Sequence, residues 1–348
     1  MQAKMKAAVL HGIRDLRIEE REIPKPKADE VLVKMRVVGI CLSDVHYLTA
    51  GRIGRFVIEK PLVLGHECAG QVADVGSDVN ALHKGDRVVV EPGIPCRKCY
   101  QCKRGRYNLC PKVAFMATPP TDGALAEYIV SPEDFVYKMP DNMTFEEGAL
   151  IEPLSVGMQS VRRGAIHAGQ SIAILGAGTI GLMTLMAAKA QGATDIYATD
   201  VIEFKLNFAR DLGATEGINS KKMDPVKRIM ELTGGEGVDA VFDAVGLPET
   251  LQQSVKIVRE GGVVVLTGLG YHTPEVPLPV TEVIFKELDI RGVHRYANVW
   301  QDSLNLVASG RIDAKKLITH TFPFENVREA FEKAEKGPDA VKVQVTMP

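Results

Sequence analysis

Ser171-Ile172-Ala173-Ile174-Leu175-Gly176-Ala177-Gly178-Thr179-Ile180-Gly181 is the stretch that decides how the middle of this chain folds. Residues 171–175 are a short apolar run closed by glycine, which reads as a buried parallel strand. A helical segment, 182–191, follows. Between the two, Gly176, Gly178 and Gly181 form Gly-x-Gly-x-x-Gly, whose glycines let a pyrophosphate approach backbone N–H groups at a helix start. Alone this spacing is a weak signal, and a tight structural turn is the plain alternative. Placed between strand and helix it is stronger. Asp200 supports it: it closes a second strand candidate, 196–199, where a carboxylate would accept hydrogen bonds from the ribose of a dinucleotide.

Outward from that turn, residues 155–291 keep a strand–helix–strand rhythm. Strand candidates are 237–242, 263–266 and 288–291, with helices at 204–212, 225–232 and 248–259. This alternation argues for a parallel, doubly wound sheet with right-handed crossovers. The segment before it, 5–150, is β-rich: 31–38 and 86–90 are valine-rich strands, punctuated by turn residues such as Pro24-Lys25-Pro26. The tail, 292–348, is too short for a third domain and is expected to pack back onto the first. The fold class is therefore α/β, with a discontinuous first domain (1–154 and 292–348) and an inserted nucleotide-binding domain (155–291).

Cys96, Cys99, Cys102 and Cys110 stand in a Cys-x2-Cys-x2-Cys-x7-Cys run. Thiolates are soft zinc ligands, and such spacings let one irregular loop, 93–112, close a tetrahedron around the ion. Basic neighbours (Arg97, Lys98, Lys103, Arg104, Arg106) are expected to help keep the thiols ionised. Two disulfides are the alternative, but six cysteines in 348 residues and no visible leader speak for metal. Four sulfurs leave no open position, so this zinc should be structural.

The chemistry must lie elsewhere. Cys41, His66 and Glu67 supply thiolate, imidazole and carboxylate, the mixture used where zinc keeps one position for water or substrate. Asp44 is available to accept the imidazole N–H. Glu152 lies in an apolar stretch, where an acid is costly to bury unless it serves a metal, a cation or a water. Cys68 reads as a core thiol.

Composition excludes several classes. A net charge of −2 gives no basic field for nucleic acid. The apolar run 172–188 is too short and too glycine-broken to cross a membrane. The first residues lack an export signal, so a cytoplasmic protein is expected.

Several motifs together resemble the zinc-dependent medium-chain dehydrogenases, and within them the sorbitol (polyol) dehydrogenases. They are Gly39-Ile40-Cys41 with Ser43-Asp44-Val45-His46-Tyr47, Gly65-His66-Glu67, Gly105-Arg106-Tyr107-Asn108-Leu109-Cys110, Ala117-Thr118-Pro119-Pro120, the run 145–157 around Glu152, and Arg295-Tyr296-Ala297-Asn298. The resemblance runs along essentially the whole chain. It implies a GroES-like catalytic domain, a Rossmann domain, two zinc ions, NAD and a homotetramer. It implies Cys41 and His66 on catalytic zinc with Glu67 and Glu152 completing its surroundings, and leaves open which acid ligates. Ile180, Asp200, Lys205, Thr267, Gly268, Leu269, Val293, His294 and Arg295 would line the cofactor. Tyr47, Phe115, Thr118, Glu152, Arg295 and Tyr296 would surround the substrate. Leu42 and His294 depart from the residues common there, and the four-cysteine set makes the chain look closer to bacterial polyol dehydrogenases.

The chemistry so implied is oxidation of a sugar alcohol to a 2-ketose. Zinc lowers the pKa of a bound alcohol from about 16 toward 7, and hydride passes to the nicotinamide. Ser43 and His46 are candidates to relay the proton outward. The alternatives are oxidation of another secondary alcohol, such as threonine or 2,3-butanediol, and a non-catalytic zinc protein that senses nucleotide.

Overall fold

The structure, a computed structural model, describes residues 3–270 and 275–348. The chain forms two compact units, Met1–Glu152 with Trp300–Pro348, and Pro153–Val299. The changeovers fall at 152/153 and 299/300 rather than at 154/155 and 291/292. Residues 293–299 stay with the second unit because its elements hold them: Val293 N donates to Leu266 O at 2.9 Å, and the Arg162 guanidinium donates to Ala297 O at 3.0 Å.

The second unit is built on six parallel strands in the order Glu216–Asn219, Ile196–Asp200, Ile172–Leu175, Val238–Asp243, Val258–Leu266, Asp289–Gly292. The first of these in the chain, Ile172–Leu175, lies inside the sheet and is buried throughout, as its unbroken apolar run requires. The chain builds outward on one side, then returns to Val238–Asp243 on the other. That reversal is the topological switch point, where open α/β sheets bind ligands. The helix Pro248–Ile257 stops two residues short of its expected end, and Val258 begins the next strand.

In the first unit, Glu30–Ile40 is the organising strand. It pairs antiparallel with Glu67–Val75, Tyr128–Pro132 and Lys342–Thr346, within the order Val136–Lys138, Arg87–Val90, Glu67–Val75, Glu30–Ile40, Lys342–Thr346, Ile318–Pro323. The tail therefore supplies a strand to the centre of the β-rich unit. Register fixes what happens at one end of this sheet: Gly39 opposes Glu67 on one side, and Ile40 opposes Val343 on the other. Cys41, His66, Glu67 and Lys342 thus arrive at neighbouring strand ends. Among the described residues, no helix is long and apolar enough to cross a membrane.

Candidate active site and metal centres

Cys41 is the N-cap of the helix Leu42–Ala50, which follows directly from the end of the central strand. His66 precedes the strand Glu67–Val75, and Glu67 is its first residue. The ligating atoms of Cys41, His66 and Glu67 lie within 4.8 Å of one another, with His66 and Glu67 buried. Metal–ligand bonds of about 2.0–2.3 Å place tetrahedral donors about 3.5 Å apart, so a small contraction closes this set on an ion. Thiolate, imidazole and carboxylate in a buried cluster fit zinc by both chemistry and spacing.

Asp44 does more than face the imidazole. Its Oδ1 lies 3.4 Å from His66 Nδ1, an ion-pair distance without hydrogen-bond geometry. The same oxygen accepts from Gly65 N at 3.0 Å, and Oδ2 accepts from Cys41 N at 3.2 Å. One buried carboxylate therefore staples the segment that carries Cys41 to the segment that carries His66. With Nδ1 turned toward Asp44, Nε2 is the nitrogen that could hold a metal, as a histidine ligand commonly does.

Lys342 forms a second staple, and nothing in its local sequence announces it. Its ammonium donates to Glu67 Oε1 and Oε2 at 2.8 and 2.7 Å and to the Ile40 carbonyl at 3.2 Å. The strand reads Val341-Lys342-Val343-Gln344-Val345, an alternation that signals one solvated face. Yet Lys342 and Gln344 are 2% and 0% exposed, because the strand lies between two others and is covered on both faces. Burial with an opposite charge was the available clue, and it is visible only in three dimensions.

Of the other expected residues in this unit, Ser43, His46 and Tyr47 sit on the Leu42–Ala50 helix, with Ser43 and His46 one turn apart. Phe115 packs against His66 with ring centroids 5.5 Å apart. Thr118 lies in the turn that ends at Thr121. Glu152 is 5% exposed in the first turn of the helix Ile151–Gly164. It falls outside the three-residue donor cluster, although its charge acts on Cys68 and on Lys342. Burial pushes the Cys68 thiol up to about 12, which suits an inert core residue.

The four cysteines Cys96, Cys99, Cys102 and Cys110 converge with their sulfurs within 4.8 Å, all as free thiols. Cys99 and Cys102 sulfurs are 3.4 Å apart, and Cys110 Sγ accepts from the backbone N–H of Cys96 and of Lys112, both at 3.4 Å. The expectation that basic side chains ionise these thiols needs correction. Backbone N–H groups lower two of the four: that of Lys98 holds Cys96 down to about 6, and that of Cys102 lowers Cys99, whereas burial pushes Cys102 up to about 12. Arg97 is engaged elsewhere, on Asp134 at 2.6 and 2.9 Å, and Arg104 lies over the Tyr100 ring.

A two-residue ladder, Gly93–Ile94 with Ala114–Phe115, closes the base of this lobe. Tyr107, inside the lobe, donates to Glu91 Oε1 at 2.8 Å, and Tyr137 donates to Oε2 at 3.0 Å. Burial pushes the Glu91 carboxyl up to about 7, and the two hydroxyls partly offset it. The lobe is thus tied to its unit by a buried acid, the Arg97–Asp134 pair and one ladder, among other contacts, and that ladder carries Phe115 to His66.

In the second unit the three glycines have distinct physical reasons. Gly176 has φ +95°, and a side chain there would also meet Val245 Cγ2 at 2.6 Å. At Gly181 a Cβ would lie 1.8 Å from the Gly176 carbonyl oxygen. At Gly178 a Cβ would meet nothing within 4 Å. The protein packs nothing there, and open space beside a helix start is what a phosphate requires. Ile180 is in that helix, Thr179–Ala190. Asp200 accepts from Ala177 N and Ile202 N, both at 2.9 Å, so it shapes the turn as well as ending its strand. Lys205 is on the helix Glu203–Asp211.

Thr267 and Gly268 follow the strand Val258–Leu266, with both N–H groups on Asp243 O at 2.9 and 2.8 Å. Thr267 Oγ1 is 3.1 Å from Ser160 Oγ, and Leu269 is exposed. Val293, His294, Arg295 and Tyr296 follow Asp289–Gly292, with Arg295 at φ 55° and Tyr296 buried.

Residues 27–141 match the alcohol dehydrogenase GroES-like domain family, and residues 179–309 match the zinc-binding dehydrogenase family. The chain is 47% identical to sorbitol dehydrogenase of Bacillus subtilis over 95% of its length and 93% of the relative's. It is 45% identical to sorbitol dehydrogenase of Homo sapiens, over 94% of this chain and 92% of that one. Among solved structures, an Escherichia coli oxidoreductase/dehydrogenase of unknown specificity involved in membrane biogenesis superposes with a TM-score of 0.95 at 41% identity, covering 99% of this chain and 100% of the other. With its metal donors at one sheet end and its glycine turn at a switch point, the chain belongs to the zinc-dependent medium-chain dehydrogenases, in the sorbitol dehydrogenase family.

Proposed function

We infer that this protein is a zinc-dependent polyol dehydrogenase that oxidises a secondary hydroxyl of a sugar alcohol such as sorbitol or xylitol to the 2-ketose, reversibly, with NAD as acceptor. The observation that carries this is the Cys41–His66–Glu67 cluster, three different donors rather than four sulfurs, in a chain so similar to two sorbitol dehydrogenases. Zinc held there supplies Lewis acidity, which eases loss of the alcohol proton so that hydride can leave. Asp44 holds two of the donor segments in place, and Phe115 walls one side of His66. Ser43 and His46 are assigned to pass the proton outward along their helix.

Glu152, Tyr47, Thr118, Arg295 and Tyr296 are assigned to the remaining hydroxyls of the substrate. Each hydroxyl buried without a partner is costly, so a polyol needs several donors and acceptors. A second zinc on the four cysteines and assembly as a homotetramer complete the reading. The chemical test is product identity. Sorbitol and xylitol should each yield a ketose, and an aldose product would contradict oxidation at the secondary position.

NAD rather than NADP is assigned from Asp200. Its carboxylate is held at the end of the second strand by two backbone N–H groups, where the 2′-phosphate of NADP would meet like charge. Glu203 is held down to about 2 by Asn219, Arg210 and Lys222, but the two cations among them already answer its charge. Discrimination therefore rests on Asp200. Catalytic efficiency with NAD is expected to exceed that with NADP by about tenfold or more, since about 1.4 kcal/mol of repulsion suffices. Equal efficiencies with the two cofactors would show that the carboxylate does not select.

A further inference from the structure

We propose that Lys342 is a positioning residue that competes with the metal ion for the Glu67 carboxylate, making Glu67 a shared rather than a permanent ligand. The proposal rests on the zinc reading above. An ammonium has three protons, and those of Lys342 have three acceptors: both Glu67 oxygens, at 2.8 and 2.7 Å, and the Ile40 carbonyl, at 3.2 Å. The same carboxylate lies within 4.8 Å of the Cys41 sulfur and a His66 nitrogen. It is therefore within reach of two cations, one covalently part of the chain. Gly39 keeps this place open, because a Cβ there would lie 2.1 Å from Glu67 Oε2.

The competition has a definite sign. While the ammonium holds the carboxylate, the ion meets a donor whose charge is already partly answered. An uncharged side chain of similar length at position 342 would leave Glu67 buried with no partner except the ion. The metal-free protein would lose more stability than the zinc-bound protein, and by linkage zinc would bind more tightly. A lysine that merely fills space or ties two strands together predicts no such gain.

Zinc release to a chromophoric chelator, and the rise in Tm on adding zinc, should be compared in the wild type, Lys342→Met, Glu67→Gln and the double variant. The kinetic phase of this site is the one that Cys41→Ser removes. Lys342→Met is expected to slow that phase by about tenfold and to enlarge the zinc-induced rise in Tm, a change within the range seen when groups around metal ligands are altered. In the double variant the gain should vanish, leaving release within about threefold of Glu67→Gln alone, since the contested carboxylate is gone. Release from Lys342→Met that is unchanged or faster would overturn the proposal. Should that variant not fold, Glu67→Gln alone decides. Acceleration by less than about tenfold is expected of a shared ligand, and a larger one would mean that Glu67 is bound outright. Absence of any phase that depends on Cys41 would instead remove the zinc reading itself, and the proposal with it.

Discussion

Cys41→Ser is expected to lower catalytic efficiency for polyol oxidation by about a thousandfold or more, with the fold retained. The magnitude follows from what the ion contributes. Lewis-acid stabilisation is worth several kcal/mol, and each 1.36 kcal/mol is a factor of ten in rate. A hydroxyl is a poor replacement for the thiolate, so the ion is lost or misplaced. Retention of the fold follows from where Cys41 sits. It is only partly buried, at the N-cap of Leu42–Ala50, and serine is among the best residues for that position. The Asp44 bond to the backbone N–H of residue 41 does not depend on the side chain. Circular dichroism and Tm should therefore stay close to the wild type while turnover disappears. Near-normal turnover in Cys41→Ser would remove this residue from the centre.

Cys99→Ser should do the reverse, damaging stability more than chemistry. Neither the short helix Tyr100–Lys103 nor the turn Tyr107–Leu109 buries a residue, and Cys110 is the only cysteine of the four that is buried. No apolar core holds the lobe, so the zinc proposed on its four cysteines is expected to supply much of its order. Loss of one thiolate is expected to release one zinc per chain and to open residues 93–112 to limited proteolysis. Tm should fall, by about 2–4 °C for each kcal/mol lost. Activity should decline only in part, through Phe115, which the base of the lobe carries to His66. A variant that keeps its full zinc content and resists proteolysis would show that protein contacts, among them Tyr107–Glu91, Arg97–Asp134 and the ladder at its base, hold the lobe without help from Cys99.

The parts that were legible in the chain are those in which local sequence and global role agree. Ile172–Leu175 is apolar because it is buried, and the glycines after it are needed where they stand. The cysteine spacing is legible because one loop supplies all four donors. Short strands with polar members were not. Among the described residues Glu216–Asn219 pairs only with Ile196–Asp200, at the sheet edge, so nothing forces it to be apolar. The tail strand Lys342–Thr346 carries the alternation of a half-exposed strand, yet lies buried in the middle of a sheet. Its lysine is paired with an acid 275 residues away in sequence, and no local pattern encodes such a partner. For the same reason Asp44 was legible as a companion of His66, but not as the group that ties Cys41 to Gly65. Val293 and Ala297 are held by Leu266 and Arg162, contacts that the tail's own sequence does not reveal.

The central claim is tested most directly by steady-state oxidation of sorbitol, xylitol, ribitol, galactitol, threonine and 2,3-butanediol by the zinc-loaded protein with NAD. Glu152, Thr118 and Arg295 are assigned to hydroxyls beyond the reacting one. At least one five- or six-carbon polyol should therefore exceed both threonine and butanediol in catalytic efficiency, by about fivefold or more for each pair of hydroxyls that gains partners at about 0.5–1.5 kcal/mol apiece. Failure of every polyol, alongside brisk oxidation of threonine or the diol, would contradict the assignment.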